Sequence, residues 1–388
     1  MAANTYKVMI VAGEASGDLH AAKLVDALRA SAGGSSLEFF GAAGERMRRA
    51  GVEPIVKADE LSIVGLPEIG RALPMFLRAF RDLKEAATTR RPDVVVLVDF
   101  PEFNLKLART LSRRGLKIVY YISPQLWAWR KYRIRSIRNY VDLLISILPF
   151  EKDWYAKHRV THVEYVGSPL AREVHPSGDK ETFCQVHGLD PSRPIIALLP
   201  GSRHKEIVRI MPVMLETAAM ISVRNGASQF VVAAGSDKNA VDINAAVGSA
   251  GKLPKDLITV VGETFDALNA ADAAAVTSGT ATLETAIIGT PMAVVYKSSA
   301  LNYKLLRPLI DVEHFGLVNL IAGERVAKEL IQDEFTPDSL AAEIERLLEP
   351  GENKNMRERL RETSEKLGHG GASRRAAELI LKLIEKES

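Results

Sequence analysis

Short runs of β-branched and apolar residues alternate with helical stretches along the whole 388-residue chain, and this alternation restricts the fold more than any other feature. In the first half the runs are Lys7–Ala12, Leu37–Phe40, Val94–Val98, Lys117–Ile122, Leu143–Ile147 and Val163–Val166. In the second half they are Ile195–Leu199, Gln229–Val232, Ile258–Val261, Ala273–Val276 and Met292–Tyr296. Val94-Val95-Val96-Leu97-Val98 has no polar face, so helices must cover both sides of the sheet it joins. Strands and helices at this spacing predict parallel sheets with right-handed crossovers, an α/β chain of doubly wound, Rossmann-like sheets. The length passes the ~250–300 residues at which single cores divide, so two domains are expected. The alternation lapses at Gly167-Ser168-Pro169, Pro176-Ser177-Gly178 and Asp190-Pro191-Ser192-Arg193-Pro194. The expected division is therefore a first domain over 1–170, a linker over 171–193, a second domain over 194–350 and C-terminal helices over 351–388. The last helix carries Ala376, Leu379, Ile380 and Leu383 on one face, a stripe that must dock on something. Two such domains facing each other would bind ligands at the C-terminal ends of their strands.

Composition narrows the function classes. Hydrophobic residues at 47% and charged residues at 26% describe an ordinary globular chain. A net charge of +3 is too small over this length to imply nucleic-acid binding. The single cysteine, Cys184, rules out an internal disulfide framework and suits a reducing cytosol. No apolar run approaches the ~18 residues of a membrane span. Val8–Ala12 is short and runs into Gly13-Glu14, so it reads as a first strand and not a signal peptide. H-E-x-x-H, C-x-x-C, Walker A and Asp-x-Asp are all missing, and His158 and His162 have metal spacing without a third partner.

Four strand-to-helix turns could carry chemistry. The first strand enters Gly13-Glu14-Ala15-Ser16-Gly17-Asp18, with a helix expected from about Leu19 and Ser16 placed to cap it. The glycine spacing is not the dinucleotide fingerprint, and no acidic residue ends the second strand to hold a ribose. The third clear strand ends in Asp99-Phe100-Pro101-Glu102-Phe103-Asn104, which delivers two carboxylates, although Glu102 equally suits a helix start. In the second half, Ile195–Leu199 leads to Pro200-Gly201-Ser202-Arg203-His204. Backbone N–H groups, a helix dipole and a guanidinium there make an anion site. Ala273–Val276 leads similarly to Ser278-Gly279-Thr280, and two such turns in one domain suit a diphosphate. Glu284, one turn further on, could accept both hydroxyls of a ribose.

Two stretches read as surface devices. Leu66, Ile69, Leu73, Phe76, Phe80 and Leu83 recur at spacings of three and four, while Arg71, Arg78, Arg81 and Lys84 lie elsewhere on the wheel. Such a stripe usually faces its own domain, but Pro67, Pro74 and the bulk of Met75-Phe76-Leu77 favour a membrane-surface segment. From Arg130 to Arg138, five cations fill nine positions beside Trp127 and Trp129, a solvated face or a surface for anionic lipid.

Seven stretches together resemble the lipid-A-disaccharide synthase family. They are Val11-Ala12-Gly13-Glu14-Ala15-Ser16-Gly17-Asp18, Asp99-Phe100-Pro101-Glu102-Phe103-Asn104, Ser123-Pro124-Gln125-Leu126-Trp127-Ala128-Trp129-Arg130, Leu148-Pro149-Phe150-Glu151, Leu199-Pro200-Gly201-Ser202-Arg203, Ser278-Gly279-Thr280-Ala281-Thr282-Leu283-Glu284 and Val318-Asn319-Leu320. They occur in family order across nearly the whole chain. The resemblance implies a GT-B fold whose C-terminal helices pack back toward the first domain. It implies an inverting transferase that joins UDP-2,3-diacylglucosamine to 2,3-diacylglucosamine 1-phosphate and releases UDP, with no metal and no cofactor. Gly201, Ser202, Arg203, Gly262, Ser278, Gly279 and Thr280 would surround the nucleotide, Glu284 the ribose and Asn319 the donor. Glu14, Ser16, Asp93, Asp99 and Glu102 would line the acceptor cleft, with Glu102 or Asp99 as base. Relatives commonly carry Asp where this chain has Glu102, which moves that carboxylate by a methylene. A homodimer at the cytoplasmic face of the inner membrane is expected, with Leu66, Ile69, Leu73, Phe76 and Phe80 as the acyl or membrane surface. The competing readings are a UDP-sugar 2-epimerase of the same architecture and a non-enzymatic two-domain binding protein.

Overall fold

A computed structural model describes residues 5–59, 69–299, 303 and 313–385. The chain divides into two compact units, Met1–Pro169 with Gly370–Ser388, and Leu170–His369.

Unit 1 is built on seven parallel strands, β1 (Thr5–Ala12), β2 (Ser36–Ala43), β3 (Glu53–Lys57), β4 (Val94–Val98), β5 (Ile118–Tyr121), β6 (Leu143–Ser146) and β7 (Val163–Tyr165), in the order β3-β2-β1-β4-β5-β6-β7. All five residues of β4 are buried, as a strand without a polar face requires. One face of the sheet packs on the helix Ala15–Ser31 and on the last helix, Ala372–Glu385, through Ala376, Ile380 and Ile384. The other face is covered from the helices Ile69–Arg90 and Pro101–Ser112.

Unit 2 holds six parallel strands, β8 (Ile195–Leu199), β9 (Gln229–Ala234), β10 (Leu257–Val261), β11 (Ala273–Thr277), β12 (Met292–Tyr296) and β13 (Glu329–Ile331), ordered β10-β9-β8-β11-β12-β13. The first segment of its core comes from Phe183 and Cys184, on a helix within the stretch expected as a linker. The C-terminal helices divide between the units. Pro350–Glu365 enters the core of unit 2 through Met356 and Leu360, and only Ala372–Glu385 joins unit 1.

In both sheets the chain starts in the middle, winds outward to one side, then restarts on the other. The reversal falls between β1 and β4 in unit 1 and between β8 and β11 in unit 2. At such a point two loops diverge above the strand ends and leave a crevice, which is where this architecture binds ligands.

Candidate functional site

The acidic turns after β1 and β4 meet at the reversal of unit 1. Gly13 lies directly under the Phe100 ring, where a Cβ would stand 2.4 Å from a ring carbon, so only glycine permits this approach. The helix begins at Ala15 with Glu14 as its N-cap residue, four residues earlier than the sequence pattern suggests. Ser16 is therefore inside the first turn and does not cap it; like Glu14, it is exposed above the strand ends. Asp18 turns away from the reversal and caps the short helix Glu45–Arg49 through the N–H groups of Arg46 and Met47.

Asp99 and Phe100 both adopt left-handed backbone conformations, at φ 47° and 51°. Two consecutive non-glycine residues there are strained and persist only when their surroundings hold them. The Tyr120 hydroxyl and Asn104 Nδ2 each donate to the Asp99 carbonyl at 2.7 Å, and Asn104 also donates to the Val98 carbonyl. Burial and the neighbouring charge of Glu14 push the Asp99 carboxyl above its ordinary range. Glu102, three residues on, is exposed and held by the guanidinium groups of Arg130 and Arg133. Its partial burial opposes ionisation, but Arg133, Arg130 and Lys106 outweigh it and hold the carboxyl below the usual range.

Asp93 does not share this site. It precedes β4, at the opposite end of the strand from Asp99, and its carboxylate accepts the Lys7 backbone N–H at 2.7 Å. Five strand residues at ~3.3 Å each separate it from the reversal, so it fixes the start of β1 and β4.

Beneath the Trp-Ala-Trp-Arg stretch lies a buried polar cluster. Trp127 Nε1 donates to Glu151 at 2.9 Å and the Ser146 hydroxyl donates to its other oxygen at 2.6 Å. Burial pushes the Glu151 carboxyl up to about 7 despite these hydrogen bonds. Ser123 and Tyr155 complete the cluster, the Tyr155 hydroxyl donating to the Pro124 carbonyl. Tyr120, Asn104 and Glu151 are site-building residues that sequence reasoning did not assign a task.

In unit 2 the turns after β8 and β11 are neighbours, because those strands pair directly. Gly201 takes φ 106°, and Arg203 is the N-cap residue of the helix His204–Asn225. The Arg203 guanidinium is 82% exposed and rests on Glu206 at 2.9 Å. Ser202 is exposed, and Asn239 Nδ2 donates to its carbonyl at 2.8 Å, which fixes the loop. Across the reversal, the Ser278 hydroxyl donates to the Phe315 carbonyl, and Gly279 and Thr280 open the helix Ala281–Ile288. Glu284 is half-buried on its first turn, and burial alone raises its carboxyl. Gly262 follows edge strand β10, at the same end of the sheet but beyond β9.

Asn319 corrects the sequence reading. It is fully buried, and its amide is saturated from within: Nδ2 donates to the Ala327 carbonyl and Glu329, and Oδ1 accepts from the N–H groups of Val326 and Ala327. No valence is left for a donor sugar. Glu329 also accepts the N–H groups of Phe315 and Gly316, so this pair shapes the loop on which Ser278 leans.

The apolar stripe divides. Leu66 lies outside the described residues, as does the side chain of Ile69. Phe76 and Phe80 pack on Phe100 and Phe103 at ring distances of 5.7–6.5 Å, so they support the Asp99 turn. Leu73 and Leu77 are exposed at 56% and 62%. The helix runs through Pro74 without ending, although a proline there, past the first turn, forgoes one i→i−4 hydrogen bond. Among the described residues no helix is long and apolar enough to cross a membrane, and no cluster of His, Cys, Asp or Glu is placed to hold a metal ion. A cavity of about 680 Å³ in unit 2, beside Arg193, Asp272 and Arg357, opens at the other end of the strands from these turns.

The family model described as lipid-A-disaccharide synthetase matches residues 8–384. The chain belongs to the lipid-A-disaccharide synthase family. It is 42% identical over 390 residues to the lipid-A-disaccharide synthase of Geobacter sulfurreducens, covering all of both chains. It is 42% identical over 383 residues to that of Myxococcus xanthus, covering 98% of each. It is thus an enzyme, a glycosyltransferase of lipid A biosynthesis. Solved structures place the fold: the calicheamicin glycosyltransferase CalG4 (TM-score 0.60, 16% identity, 99% of this chain and 100% of that one) and the UDP-GlcNAc 2-epimerase of Neisseria meningitidis (TM-score 0.65, 12% identity, 97% and 100%). The two-sheet architecture of this synthase family member is GT-B.

Proposed function

We propose that this synthase transfers the 2,3-diacylglucosamine unit of its UDP-linked donor to the 6-hydroxyl of 2,3-diacylglucosamine 1-phosphate, in one inverting displacement. The observation that carries this reading is the pair of anion-receiving turns on adjacent strands β8 and β11. The exposed Arg203 and the N–H groups opening the helices after Ser202 and Thr280 suit a diphosphate, and the half-buried Glu284 suits a ribose. Unit 1 then takes the acceptor.

Asp99 serves as base. Its raised carboxyl holds a proton more readily than Glu102, whose carboxyl the neighbouring cations hold below the usual range. As the acceptor oxygen bonds to the anomeric carbon, its proton passes to Asp99 and the electron pair of the breaking bond leaves with UDP. Arg203 and the two helix N-termini meet that growing charge. Exposed Leu73 and Leu77 give the protein a peripheral footing on the membrane that holds the acyl chains.

The test is Asp99→Asn. Turnover should fall by roughly 10²–10⁴-fold, with UDP affinity by calorimetry unchanged. The acidic limb of the wild-type rate profile should lie above the ordinary carboxylate range and vanish in the variant. Full turnover in Asp99→Asn would exclude it as base. Conversion of UDP-N-acetylglucosamine without any lipid acceptor would favour the epimerase reading instead.

A further inference from the structure

The proposed acceptor carries a phosphomonoester, and none of the groups assigned above receives it. Around Glu102 the charges do not balance: Arg130 and Arg133 bond its oxygens, and Lys106 acts on it as well. Three cations against one carboxylate leave two positive charges over, which matches the roughly −1.5 to −2 of a phosphomonoester at neutral pH. The arginines are shaped by more than Glu102. Arg130 has φ 58° and its guanidinium stacks 4.2 Å from the centre of the Trp129 ring. The Arg133 side chain is only 12% exposed and lies against Tyr132. We propose that Arg130 and Arg133 form a fork for the acceptor's 1-phosphate, with Glu102 as the internal occupant that the phosphate displaces.

This inference rests on the proposed acceptor for the identity of the phosphate. Guanidinium pairs grip tetrahedral phosphate oxygens bidentately, better than a flexible ammonium does. Glu102 is 57% exposed, so its carboxylate can be rehydrated as it leaves the fork, and its pairing with the partly exposed Arg130 is weak. The position is right as well. The Tyr120 hydroxyl donates to the Asp99 carbonyl, and the charges of Asp99, Arg133 and Glu102 all act on that hydroxyl. Base and fork therefore border one residue. In the acceptor sugar, the carbons bearing the 6-hydroxymethyl and the phosphate both flank the ring oxygen, so one edge of the ring presents both groups.

The experiment compares two acceptors in neutral detergent micelles, 2,3-diacylglucosamine with and without its 1-phosphate. Arg133→Gln and the more exposed Arg130→Gln should each cut the preference in kcat/KM for the phosphorylated acceptor by about 10–100-fold, as expected for loss of charged hydrogen bonds. Donor KM should not move. Glu102→Gln should lower the KM of the phosphorylated acceptor, because a neutral amide competes less for the fork. A preserved preference in both arginine variants, an equal loss on both acceptors, or a shift in donor KM instead would overturn the proposal. Should the wild type make no product with either acceptor, the reaction reading fails, and the fork is then judged by calorimetry with glucosamine 1-phosphate. Binding lost in Arg130→Gln and Arg133→Gln supports it, and equal binding ends it.

Discussion

Replacing Glu151 by Gln should remove a specific slope from the pH dependence of stability. Glu151 is buried, and its described partners are an indole, hydroxyls and a backbone N–H, with no cation among them. Its carboxyl is at about 7 in the fold against an ordinary 4.5. Between those values the native state keeps a proton that the unfolded chain has lost, so stability falls as pH rises through the window and levels off above it. Each tenfold difference in proton affinity is ~1.36 kcal/mol, which makes the whole contribution ~3 kcal/mol. Gln at this position still accepts from Trp127, and its amide can donate to the Ser146 oxygen. Urea unfolding followed by tryptophan emission reads the right part of the molecule, since Trp127, Trp129 and Trp154 all belong to unit 1. Between pH 4.5 and 8 the wild type should lose about 3 kcal/mol relative to Glu151→Gln. Parallel curves for the two proteins would refute the argument that burial holds this proton.

Asn319→Ala should leave the Val326 and Ala327 N–H groups buried without an acceptor and lower the stability of unit 2 by on the order of 3 kcal/mol. Unchanged stability with a selective loss of donor affinity would restore Asn319 to the donor site. Leu73→Glu with Leu77→Glu should abolish sedimentation with anionic vesicles at an unchanged melting temperature, because both side chains are exposed. Phe76→Glu should instead destabilise unit 1 by roughly 2–4 kcal/mol, since it packs against Phe100 and Phe103. Equal vesicle binding by the double leucine variant would return that helix face to a purely structural part.

The buried strands were plain in the sequence because a run such as Val94–Val98 fits nothing but a covered parallel sheet. The edge strands Glu53–Lys57 and Glu329–Ile331 were not, since a short strand paired on one side needs little apolar patterning, and Pro54 weakens the first further. The strand-to-helix turns after β8 and β11 were legible from the small residues between strand and helix. Asp93 and Asn319 show the limit of that reading. A carboxylate or amide in a motif looks the same whether it faces a ligand or holds its own backbone, and only burial and hydrogen-bond partners separate the two. Glu151 was invisible as a hub for the same reason, because its donors lie 5 and 24 positions away.

The helix Ala372–Glu385 carries a temporal consequence. Ile380 and Ile384 belong to the core of unit 1, yet they leave the ribosome only after every residue of unit 2. The amino-terminal sheet must therefore wait, one flank bare, through some two hundred intervening residues of synthesis. A nascent chain halted before Ala372 would hold a finished second unit and a first unit still lacking its closing piece.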